Sequence, residues 1–255
     1  MNLFRTRTGT EKLLLDDSVY RSIEWWDLGV KRTRRSMKGK VPVSRDYIEG
    51  LLDRVNGLDY GVKIGGHGLD PETQRLRNKA LIGFLYLSAR RISEVVGFNG
   101  PSLAKRPPVM LPGIMLEDIK YDTQAGRPVM IISCRILKKA KPEFGDVVID
   151  LKEEPFIGWI REWIKYQTGA GKDKLFPLAR SRAYQILKQI DPAIVGPHWF
   201  RHARCSHLVS EGGLDAYQLT ERVGFWTSID PSVAYVHGSV DVYLDAAEKA
   251  RKQKG

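Results

Sequence analysis

Three short clusters carry side chains suited to acting on an anion. Arg91 lies in Leu87-Ser88-Ala89-Arg90-Arg91-Ile92-Ser93-Glu94, directly after an apolar run. A guanidinium placed there is costly unless it meets an anion, and Glu94, three residues on, shares its helical face and holds it. The second cluster is Pro197-His198-Trp199-Phe200-Arg201-His202. Helical spacing puts His198 and Arg201 on one face near a helix N-terminus, one switchable donor beside one permanent cation, a pairing that suits a phosphate oxygen. The third runs from Gly224-Phe225-Trp226 to Tyr235, with Asp230-Pro231 opening a short helix and Tyr235 about one turn inside it. Taken singly, the clusters also read as an ion pair, an exposed basic helix and a packed aromatic.

Other motifs fail on spacing. His198 and His202 stand four apart, but a zinc protease pattern needs Glu at 199, where Trp199 stands, and no third ligand follows. Gly169-Ala170-Gly171-Lys172-Asp173 lacks the glycine and the hydroxyl of a phosphate-binding loop, with Tyr166 and Asp173 in those places. Gly65-Gly66-His67-Gly68 has no strand before it, and there is no Gly-x-Ser-x-Gly elbow. No metal and no cofactor are expected.

The elements that must position these clusters divide at a charged stretch. Residues 31–40 hold Lys31, Arg32, Arg34, Arg35, Lys38 and Lys40 and no acid. Such a run stays solvated unless a polyanion meets it, so it reads as a phosphate-contacting arm, with a plain linker as the alternative. The expected division is a short N-terminal helix and basic arm over 1–40, then one large domain over 41–255. Ser44 is the expected N-cap of a helix burying Ile48, Leu51, Leu52 and Val55. Asp70-Pro71 opens another, with Leu76, Ala80, Leu81, Phe84 and Leu85 as its stripe. Two strands are expected over 129–137 and 146–151, joined by a lysine-rich turn over 138–145. Helical patterns follow over 157–166, 181–190, 197–210, 214–223 and 240–252. The fold class is α+β, mainly α-helical with a small antiparallel sheet.

Composition agrees with a soluble globular chain that meets a polyanion. Its 255 residues carry 41 Lys/Arg against 30 Asp/Glu, a formal +11. The apolar run from Ala80 to Ala89 is too short to span a bilayer, so no membrane is expected, and no secretory h-region opens the chain. Two cysteines, Cys134 and Cys205, lie far apart, which excludes a disulfide scaffold and fits a reducing cytoplasm.

Taken together and in this order, the clusters resemble the tyrosine recombinases of the phage-integrase family. The likeness spans roughly residues 42–240 and rests on five coincident motifs: Arg-Ile-Ser-Glu after an apolar helix, a lysine turn between strands, His-x-x-Arg, Gly-x-Trp, and Tyr nine residues after the Trp. The resemblance implies the DNA breaking-rejoining catalytic fold. It implies Arg91 and Arg201 as phosphate clamps, His198 as their partner, Glu94 as the acid beside the first arginine and Tyr235 as nucleophile. Trp226 stands where many members have His and where the Cre recombinase has Trp. Lys138 fits the family's catalytic lysine, with Lys139 close behind. The family's helical core-binding domain has only about forty residues available to it here.

The resemblance further implies double-stranded DNA as partner, a homo-tetramer on that DNA, and a 3′-phosphotyrosine intermediate formed without nucleotide cofactor, since the tyrosine ester preserves the bond energy. Two arginines can neutralise the developing charge without a metal. Two other functions remain open from the sequence: a type IB topoisomerase-like relaxing enzyme, and a non-catalytic DNA-binding regulator on the same fold.

Overall fold

The computed structural model describes residues 43–60, 69–100, 109–136, 143–226, 228–233 and 235. The N-terminal helix and basic arm expected over 1–40, the helix expected over 240–252, the glycine-rich loop, and the turn residues Lys138 and Lys139 lie outside them.

Helix α1, Arg45–Asn56, starts where Ser44 accepts the Tyr47 N–H at 3.2 Å, and it buries Ile48, Leu51, Leu52 and Val55. Helix α2, Pro71–Ser88, starts where Asp70 accepts the Thr73 N–H at 2.9 Å, with proline in its first turn. From Arg77 to Ser88 every side of α2 is buried, because α1, α4 (Phe156–Gly169) and α6 (His198–Ser210) pack around it. Each fully buried Leu, Ile or Phe there contributes about 1.5–3 kcal/mol. The helix stops at Ala89, whose φ of 51° is left-handed, and that reversal starts the single turn α3, Ile92–Val95.

The sheet is larger than the sequence suggests. A two-stranded ribbon, β1 (Phe98–Gly100) against β2 (Val109–Leu111), precedes a three-stranded antiparallel sheet of order β3-β4-β5. Strand β3 (Ile119–Gln124) joins β4 (Arg127–Ile136) through Ala125 and Gly126, both at positive φ (49° and 72°), a two-residue turn whose twist suits a hairpin. Strand β5 (Glu143–Asp150) pairs with β4 so that Ile132 faces Val147. The reading of two strands missed β3 because its residues after Ile119 are exposed and polar, leaving no apolar alternation.

Helix α5, Arg180–Ile190, buries Ala183, Ile186, Leu187 and Ile190. The helix expected over 214–223 is instead a short turn α7, Ala216–Gln218, passing into a π-helical turn, Leu219–Gly224. The wider π register ends at Phe225, which also has left-handed φ, 47°. Helix α8, Asp230–Val233, ends before Tyr235, so the tyrosine follows the helix rather than lying inside it. Its N–H still reaches the Ser232 carbonyl at 2.9 Å.

Buried charge ties the first helices to α6. Glu153 receives Arg45 Nη1 at 2.9 Å and Arg204 Nη2 at 2.5 Å. Burial pushes its carboxyl up, but the two guanidiniums outweigh that and hold it below the usual range.

Candidate active site

The end of α2 delivers two adjacent arginines to opposite surroundings. Arg91 occupies the N-cap position of α3, where the Glu94 carboxylate accepts its backbone N–H at 2.8 Å and its Nη1 at 2.9 Å. The Glu94 side chain is fully buried while Arg91 stays partly open, so the acid fixes the guanidinium at the surface. Arg90 is 1% exposed; its Nη2 donates to the Val223 carbonyl and its guanidinium lies 4.5 Å over the Phe225 ring. Burial lowers its pKa, and Nη1 has no hydrogen-bond partner among the described residues.

Arg201, on α6, is also 1% exposed. Its Nη1 donates to the Ala89 carbonyl and its Nη2 to the Gly224 carbonyl, both at 2.9 Å, and the Trp226 ring covers it at 4.8 Å. Burial pushes its pKa down to about 10, helped by the repulsion of Arg90 and Arg91. His198 and Arg201 stand one turn apart on α6, as their spacing implies, but their surroundings differ. His198 is exposed, whereas Arg201 faces inward, where the Ala89 and Gly224 carbonyls take its guanidinium.

Arg91 and His198 do meet in one place. With Ile92, Ser93, Pro197, and Arg180, Ser181, Tyr184 and Gln185 of α5, they line an open cleft of about 720 Å³. Arg180 is a cation that the sequence reading missed; its only signal was the run Arg180-Ser181-Arg182 at a helix start. It lies 4.8 Å over the Phe98 ring.

Tyr235 is not in that cleft. Its ring stacks on Trp226 at 6.1 Å and 13°, and its hydroxyl shares a hydrogen bond with Nδ1 of His202. It is 6% exposed, and burial raises its pKa. His202, weighed in the sequence only as half of a metal pair, touches the His198 ring edge-on at 4.8 Å, so it stands between the cleft and the tyrosine. Among the described residues no group of three or more His, Cys, Asp or Glu could hold a metal ion. No helix among them is long and apolar enough to cross a membrane.

The electrostatic balance is uneven. Arg90, Arg91 and Arg201 act on one another, and the carboxylate placed among them is Glu94. Indole and phenyl faces offset part of the excess, but a site so arranged favours an anion.

No family model matches the chain. The tyrosine recombinase XerD of Yersinia pestis is 27% identical over 154 residues, 54% of this chain and 42% of its own length. The tyrosine recombinase XerC of Corynebacterium glutamicum is 26% identical over 191 residues, 70% of this chain and 52% of its own. The chain thus spans about half the length of the curated relatives it matches. Among solved structures, the XerH site-specific recombinase bound to its difH substrate superposes with a TM-score of 0.54 at 16% identity, over 82% of this chain and 53% of that one. The XerA recombinase gives 0.50 at 16% identity, over 89% and 71%. Those two likenesses establish the catalytic fold. The chain is thus similar in sequence to proteins named tyrosine recombinases and shares the fold of solved recombinases, with Arg-Ile-Ser-Glu, His-x-x-Arg and the Trp–Tyr pair in contact with one another.

Proposed function

We propose that the chain is a site-specific DNA recombinase or integrase that cleaves and rejoins duplex DNA through a 3′-phosphotyrosine on Tyr235. The observation that carries this reading is the convergence of Arg90, Arg91 and Arg201 around the carboxylate of Glu94, beside an open cleft and next to a tyrosine already hydrogen-bonded to a histidine.

In the reaction, the Tyr235 oxygen bonds to phosphorus and the bond from phosphorus to the 5′ oxygen breaks. Arg91 and Arg201 neutralise the non-bridging oxygens, and His198 donates a further hydrogen bond. His202 is placed to take the tyrosine proton. The leaving oxygen receives its proton from Lys138, with Lys139 as the neighbouring candidate. The Trp226 indole N–H donates to the phosphate where many relatives use histidine. Arg201 and Tyr235 exchange their present partners, two carbonyls and His202, for the phosphate as DNA seats. Reversal of the attack rejoins the strand, so no nucleotide is consumed and no metal is required.

The same reading extends to a tetramer on two DNA sites and to the arm at 31–40 as a source of sequence-independent affinity. It is tested with a nicked suicide duplex bearing the protein's recombination site. Wild-type protein forms a covalent adduct and Tyr235→Phe forms none. An adduct that persists in the phenylalanine variant overturns the assignment.

A further inference from the structure

A second, smaller pocket of about 250 Å³ lies on the other side of α5 from the cleft. It is lined by Leu58, Asp59 and Tyr60 after α1, by Gln74, Arg77 and Asn78 of α2, and by Arg182, Ile186 and Gln189 of α5. At about 30 Å³ per water it has room for a phosphate group and several waters.

Among the described residues its cations form no ion pair with a carboxylate. Arg77 is buried, yet among the described residues its Nε and Nη2 donate to the neutral Asn78 Oδ1, at 3.1 and 2.9 Å. Asn78 is itself fixed, since its Nδ2 donates to the Tyr60 hydroxyl at 3.2 Å, which donates to the Val55 carbonyl at 3.1 Å. Arg182 stands near enough to repel Arg77, and with burial as the larger cause this pushes the Arg77 guanidinium down to about 10. Among the described residues no carboxylate forms an ion pair with either arginine; Asp59 sits exposed in the pocket wall. Two guanidiniums facing one polar pocket, one of them desolvated, are stabilised by an anion that brings two or more acceptor oxygens.

The placement says which anion. On α5, at about 100° per residue, Arg180, Ser181 and Tyr184 face the cleft, while Arg182 and Gln189 face the pocket. Between them Gln185, at the edge of the cleft, and Lys188 form a crest that is not buried. A helix with anion sites on both flanks and a polar crest matches a groove of duplex DNA, whose two phosphate rows run on either side. We propose that the pocket of Arg77 and Arg182 is a second phosphate-binding site, which takes a backbone phosphate of the duplex across the groove from the phosphate in the cleft. The inference rests on the DNA reading above and adds a site to it.

The test measures binding of the full chain to a random-sequence 30-base-pair duplex between low and moderate salt, for wild type, Arg182→Gln and Arg77→Lys. Arg182 is exposed, so its replacement leaves the fold intact, and circular dichroism checks Arg77→Lys. Arg182→Gln is expected to weaken binding about 3- to 10-fold and to reduce the slope of log affinity against log salt by about 0.9, one phosphate contact. Arg77→Lys keeps the charge but loses the planar fork, and weakens binding with little change in slope. An unchanged affinity and slope for Arg182→Gln overturns the proposal. So does a pocket that serves free phosphate alone, seen if inorganic phosphate raises the Tm of wild type but not of Arg182→Gln while the duplex slope stays the same. Adduct formation by wild type on the suicide duplex is scored in parallel. Its failure removes the recombinase reading, whereas an intact adduct with an unchanged slope removes only the second site.

Discussion

The hydroxyl of Tyr235 meets Nδ1 of His202, thirty-three residues earlier in the chain, inside a stack formed with Trp226. The same histidine leans edge-on against His198, so the Tyr235 hydroxyl connects through two imidazoles to the cleft that Arg91 lines. Burial raises the tyrosine's pKa, which disfavours the phenolate until a proton acceptor and an anion-stabilising partner act together.

Replacing His202 by Ala removes that acceptor and leaves a buried hydroxyl without its partner. Adduct formation on a suicide duplex should slow by roughly 10²-fold or more, within the usual range for general-base removal. Urea unfolding should show a loss of about 1–3 kcal/mol. An unaltered cleavage rate would mean that the bond only packs the ring.

Glu94→Gln keeps the shape but removes the charge that anchors Arg91 and offsets its neighbours. Three guanidiniums then repel one another without a buried counter-charge. A stability loss of about 3–5 kcal/mol is expected, typical of breaking a buried pair. Phosphate or sulfate should restore part of it, since an anion bound in the cleft takes over the lost charge. A variant that is as stable as wild type and insensitive to phosphate would sink this account.

Gly224→Ala tests how closely the backbone and Trp226 approach. A methyl group built at Gly224 falls 2.1 Å from Trp226 Cε3, and the Gly224 carbonyl is already held by Arg201. The indole must leave its place over Arg201, and the Tyr235 stack goes with it. Tryptophan fluorescence and near-UV circular dichroism should change, stability should fall by roughly 1–3 kcal/mol, and cleavage should drop. Unchanged near-UV signals would show that the ring tolerates the methyl.

Alkaline pH should destabilise the fold through its cysteines. Burial pushes Cys134 up to about 12 and Cys205 up to about 11, against an ordinary value near 9. Both stay protonated in the folded chain where the unfolded chain loses its protons. The unfolded state therefore binds fewer protons, and stability that is complete below pH 9 falls as pH rises above it. The slope should approach about 1.4 kcal/mol per pH unit for each thiol. Near pH 9 the buried arginines, held down to about 10, are still mostly charged; closer to pH 10 their own loss of protons offsets part of the decline. Cys134→Ala and Cys205→Ala should each flatten the decline in urea midpoints; equal slopes in all three proteins would rule the thiols out.

The sequence alone determined the elements whose causes are local. Ser44 and Asp70-Pro71 start α1 and α2 because a side-chain oxygen three residues from an N–H closes a cap whatever the rest of the chain does. The period of Ile48, Leu51, Leu52 and Val55 names a buried face for the same reason. Motif order was enough to point to the family. Tertiary structure decided how each motif is used. Arg90 and Arg91 are neighbours of the same type, and only the left-handed break at Ala89 sends one onto the Val223 carbonyl and the other to the cleft. Spacing in α6 joined His198 to Arg201, yet the packing of α6 on α2 turns Arg201 inward and leaves His198 outside. Arg180 and the pair Arg77–Arg182 carried no motif, and His202 only a metal-pair spacing that failed. Their partners come from segments tens of residues away, and contacts over that distance exist only once burial of the apolar faces has brought α2, α5 and α6 together.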